Sequence, residues 1–138
     1  MRRGILIVRS LNRPAFTVLL ALCCVVGMAQ TGHLPSTPRL YLAIGAVGAW
    51  MLFAVALNDI VDAEIDRANL VDDPRRMLAA RAVERGHLVG VAAISGIVSL
   101  SAAALLGRMA LVVVACGLVL DSGRSVFLAA VPSEWPRW

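Results

Sequence analysis

Lysine is missing altogether: all thirteen basic side chains of the 138 residues are arginines. Charge of either sign is scarce, at 16% of the chain, and aromatic residues make up only 5%. Hydrophobic residues reach 59% and mean hydropathy is +0.81, against the roughly 45–50% apolar share of a soluble domain. The apolar residues also come in long uninterrupted runs, which excludes an ordinary water-soluble globular domain. The three cysteines, Cys23, Cys24 and Cys116, lie inside those runs with no metal-ligand spacing. They exclude a zinc site and a disulfide framework, and read as small buried hydrophobes in a reducing or lipid setting. No glycine-rich phosphate loop is present. No Ser–His–Asp or Cys–His arrangement supplies a nucleophile. The two histidines, His33 in an outer loop and His87 at the start of the third apolar run, do not suggest a metal or acid–base pair.

What is present is a membrane pattern, predicting an all-α, polytopic transmembrane bundle of about four spans in a single membrane domain, 1–138. The spans are expected at 15–29, 40–57, 88–107 and 109–130, the last clean only to Leu120. The second and third approach the ~20 residues needed to cross a bilayer, and the first borrows from its flanks. Arg2, Arg3, Arg9 and Arg13 precede the first span, and Arg67, Arg75, Arg76, Arg81 and Arg85 fill the 58–87 loop. The opposite loops carry only Arg39 and Arg108. This asymmetry places the 1–14 segment and the 58–87 loop in the cytoplasm, with the chain in the cell membrane. The net charge of +4 is therefore topology, not a nucleic-acid face. Arg2 and Arg3 ahead of a stretch ending Val26-Gly27-Met28-Ala29 also fit a signal peptide; the basic region running to Arg13 and the spans that follow favour a retained first span.

The chemistry is concentrated at the end of the second apolar run, in Asn58-Asp59-Ile60-Val61-Asp62-Ala63-Glu64-Ile65-Asp66. On a helix, Asn58, Asp59, Asp62 and Asp66 fall within an arc of about 100°, with Glu64 on the far side. Carboxylates stacked on one helical face repel each other, so a chain that carries them where it leaves a membrane is expected to hold a cation there. Asp59 and Asp66 would lie roughly 10 Å apart along the axis, wide enough for a diphosphate bridged by metal ions. Magnesium suits such a site, since it is held by one or two carboxylates together with phosphate oxygens. Continued back into the membrane, the same face carries Val55, Leu52, Gly48 and Ile44, with Gly45 close by. The small residues suit either a lipid groove or close helix packing. Trp50, Phe53 and Leu57 fall on the opposite side.

Beyond the motif, Asp73 as N-cap and Pro74 at the first helical position predict a short basic helix to Arg85, stopped by Gly86. It would lie at the headgroup level, anchored to membrane lipid or meeting a phosphate. Asp121-Ser122-Gly123-Arg124 interrupts the fourth run, with Asp121 and Arg124 able to pair at i,i+3. Either they pair or the span stops near Leu120. The end of the chain, 131–138, reads as non-helical, with Trp135 and Trp138 suited to the interface.

Asn58-Asp59-x-x-Asp62-x-x-x-Asp66 at the end of the second span resembles the first aspartate-rich motif, N-D-x-x-D-x-x-x-D, of the UbiA superfamily of intramembrane prenyltransferases. Arg13-Pro14 before the first span is similar to the family's Arg-Pro entry into its first helix. The resemblance implies an all-helical enzyme that transfers a prenyl group from an Mg2+-bound prenyl diphosphate to an aromatic or other lipophilic acceptor. It implies Asp59, Asp62 and Asp66 as catalytic residues and metal ligands, with Asn58 as a further ligand that also touches the substrate. The family follows its motif with Arg-Pro-Leu-Pro-x-Gly; here the region reads Asp73-Pro74-Arg75-Arg76-Met77-Leu78, so Arg75 or Arg76 is the diphosphate contact implied. The resemblance covers only the family's first four spans and lacks its second aspartate-rich motif. The expectation is therefore an incomplete member, needing a second subunit or self-association to finish the site. The competing expectation is a non-catalytic small helical membrane protein whose acidic loop is merely solvated.

Overall fold

Residues 14–30, 36–63 and 84–130 are described by a computed structural model. They form four helices, α1 (Pro14–Ala29), α2 (Thr37–Val61), α3 (Arg85–Leu106) and α4 (Arg108–Ala130), and no strand. Three of the four are long and apolar enough to cross a membrane: Thr37–Val61, Arg85–Leu106 and Arg108–Phe127. The 16 residues of α1 rise only about 24 Å, short of a hydrocarbon core of ~30 Å.

The helix ends follow local chemistry. Pro38 sits in the first turn of α2, where a missing N–H leaves nothing unsatisfied. α2 continues past Leu57 to Val61, and Asp62 closes it with its N–H on the Asn58 carbonyl at 2.9 Å. A single residue, Gly107, separates α3 from α4. Its φ of 130° lies where a side chain is strained, so the chain reverses there at the cost of one glycine.

The core is the seam between α2 and α3, the most extensive helix pair of the described residues. On α3 the buried side chains are Leu88, Ala92, Ser95, Ser99 and Ala103, with Gly96 in the same stripe. This i, i+4, i+7, i+11, i+15 spacing keeps them on one face. α2 meets it with Ala46 and Ala56, and Ala63 just past the helix end joins them. Phe53 lies over Gly96, where an added Cβ would come within 3.3 Å of the ring. Ser99 Oγ donates to the Ala46 carbonyl at 2.8 Å, so one of the serines bonds across to a neighbouring helix. Small residues let the backbones approach, which is how helices hold together where lipid offers no hydrophobic advantage. The cysteines are not in this interior: Cys23 and Cys116 are exposed and Cys24 only part-buried. The close approach at the seam is made by alanine, serine and glycine instead.

α4 attaches differently. Among its described hydrophobic residues only Leu118 is buried, while Met109, Val112, Val113, Val119, Leu120 and Phe127 face outward. Its contact with α2 is Trp50, whose ring passes over Gly117 at 3.2 Å from where a Cβ would stand. The indole Nε1–H donates to Asp121 Oδ2 at 2.9 Å. Asp121 is thus bonded to Trp50 on another helix, not to Arg124. The helix also runs through Asp121-Ser122-Gly123-Arg124 without a break. The polar groups are absorbed: Asp121 has the indole, and Ser122 Oγ bonds back to the Leu118 carbonyl at 2.7 Å. A carboxylate at the middle of a span costs about 2.5–3.5 kcal/mol. One interhelical hydrogen bond contributes about 0.6 kcal/mol, at most ~1.7, so it offsets part of that cost.

Candidate functional site

The acidic motif begins inside the helix. Asn58 and Asp59 belong to the last turn of α2, and Asp62 is its closing residue. Asp59 is buried, 3% exposed, while Asn58 and Asp62 are half-buried. Ala56, three residues before Asp59, and Ala63, four after it, both belong to the cluster formed with Leu88 and Ala92 of α3. Residues three and four apart share a helix face, so Asp59 lies on the side of α2 turned to α3. Asp62 sits on the adjoining flank.

Two physical effects disfavour this arrangement in isolation. A helix C-terminus carries partial negative charge, so carboxylates in the last turn of α2 meet the unfavourable end of its dipole. Asp59 and Asp62, at i,i+3, also repel each other. Because α3 runs back along α2, its first turn, with Leu88 packed on Ala56 and Ala63, brings a positive dipole end to the same end of the bundle. A bound cation would relieve the remainder. The donors are hard oxygens, one amide and two carboxylates, of the kind magnesium takes alongside phosphate oxygens. Among the described residues no group of three His, Cys, Asp or Glu side chains gathers. The pair and the amide are what this part of the chain supplies.

The other predicted site residues, Asp66, Arg75 and Arg76, lie outside the described residues, as do the short basic helix from Asp73, His33 and the 131–138 tail. His87 sits in the first turn of α3 with Nδ1 3.8 Å from Glu84 Oε2, both side chains largely in the open. An exposed pair of this kind contributes little, and it is not part of the acidic site.

Along the membrane-facing continuation of the motif, Leu52 and Val55 are half-buried and Gly45 is exposed. A Cβ added at Gly45 or Gly48 would meet nothing within 4 Å. These two glycines are not close-packing positions among the described residues; Gly96 and Gly117 are. Leu52 and Val55 pack against the core cluster, so the open space on this side of α2 is at Gly48 and Gly45. Trp50 and Phe53, on the other side, pack against helices. What sequence reasoning missed is the Trp50–Asp121 bond. Its one legible signal was Gly117 a turn before Asp121, a space and an acceptor on one face.

Comparison with known families matches residues 17–123 to the UbiA prenyltransferase family. No curated protein and no solved structure matches the chain. The matched stretch spans most of the sequence and contains all four acidic-motif positions, two of the three long apolar helices and most of the third, so this is a multi-pass membrane protein. The chain belongs to the UbiA prenyltransferase family.

Proposed function

We propose that the chain works as a UbiA-type prenyltransferase, taking the prenyl group of an isoprenoid diphosphate to an aromatic or other lipophilic acceptor. The observation that carries the reading is the buried Asp59 beside Asp62 and Asn58 at the end of an apolar helix, in a member of this family. Asn58, Asp59, Asp62 and Asp66 would hold Mg2+, which when bound neutralises charge developing on a departing diphosphate. Arg75 or Arg76 would add bidentate contacts to the phosphate oxygens. The chain's own part is to fix the carboxylates at the α2 terminus, keep Asp59 dry against α3, and leave an apolar flank past Gly48 and Gly45 for a hydrocarbon tail. The arginine distribution puts this end of the bundle in the cytoplasm, in the cell membrane. A second subunit or self-association would supply the acceptor side.

The test is binding of geranylgeranyl diphosphate to the purified protein in detergent, with and without Mg2+ and after chelation. Binding is expected only with Mg2+, and Asp59→Asn or Asp62→Asn should weaken it at least tenfold. Equal binding in the variants would sink the reading. The chain would then be a non-catalytic helical membrane protein.

A further inference from the structure

The contact between Trp50 and α4 is assigned no role by the reaction, yet it holds the helix that carries the acidic motif. α2 is held by two neighbouring helices along one two-turn stretch. On the α3 side the grip is Ser99 Oγ on the Ala46 carbonyl, 2.8 Å, and Phe53 over Gly96. On the α4 side it is Trp50 Nε1–H on Asp121 Oδ2, 2.9 Å, with the indole fitted over Gly117. Gly117 and Asp121 are one turn apart, so a single turn of α4 supplies both the space for the ring and the acceptor for its N–H. Ala46, Trp50 and Phe53 span two turns of α2, and between them they fix its height and its rotation.

We propose that Trp50 and Asp121 are positioning residues for Asp59 and Asp62. This rests on the reading of those carboxylates as the cation-holding pair. Asp59 stands nine residues beyond Trp50, about 13.5 Å along a continuous helix. A rigid helix passes rotation along its length. Turning α2 by about 20° would carry a carboxylate at a radius of 5–6 Å through roughly 2 Å. Binding constellations tolerate only about 0.5 Å of error. The latch therefore acts with the Ala56–Leu88 packing in keeping Asp59 against α3 and Asp62 on the adjoining flank. What Asp121 adds is a directional acceptor that Trp50 meets in one rotational setting of α2.

The experiment reads orientation rather than overall stability. In the full chain with Cys23, Cys24 and Cys116 changed to alanine, Asp59→Cys and Asp62→Cys are made separately and labelled with a water-soluble maleimide in detergent. Position 62 should react at least fivefold faster than position 59. Adding Asp121→Leu should bring the ratio to about one, while Asp121→Asn, which keeps an acceptor oxygen, should preserve it. Trp50→Phe removes the N–H together with part of the ring over Gly117, and serves as the second break should Asp121→Leu fold poorly; it should lower the ratio in the same direction. A ratio unchanged in both Asp121→Leu and Trp50→Phe overturns the proposal, and so does equal loss in Asp121→Asn. Because the labelling needs neither metal nor diphosphate, this outcome is separate from the fate of the prenyltransferase reading. Mn2+ binding by electron paramagnetic resonance, lost in Asp62→Asn, tests that reading alone.

Discussion

Helices α3 and α4 follow one another through a single glycine and are both apolar enough to span a bilayer, yet they are used in opposite ways. A third of the apolar stretch of α3 is buried within the protein, 33%, against 6% for α4. The difference lies in residue size, not hydrophobicity. α3 presents Ala92, Ser95, Gly96, Ser99 and Ala103 to α2, and these allow close backbone approach. α4 presents valine, leucine, methionine and phenylalanine outward, and meets α2 through one aromatic ring and one carboxylate. In a membrane, apolar bulk faces lipid and small residues make the interface.

This contrast can be broken where it is strongest. Ala56→Leu or Ala92→Leu puts bulk into the fully packed seam, and should destabilise by about 1–3 kcal/mol. The check is an earlier loss of helicity in an SDS titration, and no shift would mean the seam is not close-packed. Next in size is the joint: Gly107→Ala forces a side chain into positive φ and should cost about 1–2 kcal/mol by the same assay. Ser99→Ala removes the bond to the Ala46 carbonyl and should cost about 0.6 kcal/mol, with Ser99→Thr, if it packs, restoring part of it. The smallest effect sharpens the comparison: Val112→Leu and Val119→Leu on the outer face of α4 should stay within about ±0.5 kcal/mol. A larger loss there would show that this face is covered by protein rather than lipid.

Much of this was legible. Long apolar runs announce spanning helices because a bilayer leaves backbone polar groups no other partner. Asp59 and Asp62 could be placed at the end of α2 because the carboxylates follow the run directly. Less legible was the fate of α4 beyond Leu120. Asp121 reads as a stop or as half of a pair with Arg124, since local spacing knows only i,i+3 neighbours. Its actual partner, Trp50, is 71 residues away in the chain. The glycines were left undecided for the same reason. Gly45 and Gly48 stand out beside the motif but are open, while Gly96 and Gly117 are tight only because Phe53 and Trp50 arrive from another helix.

The sequence by itself determined that this protein is helical, that it lives in a membrane, and that its acidic residues gather at one helix end. Those follow from hydropathy and from spacing within one helix, both local properties. The tertiary structure alone decided which carboxylate is dry, that α3 rather than α4 forms the core with α2, and that a tryptophan and an aspartate fasten the fourth helix. Each of these depends on which faces meet, and faces are chosen by the fit of side chains from distant parts of the chain.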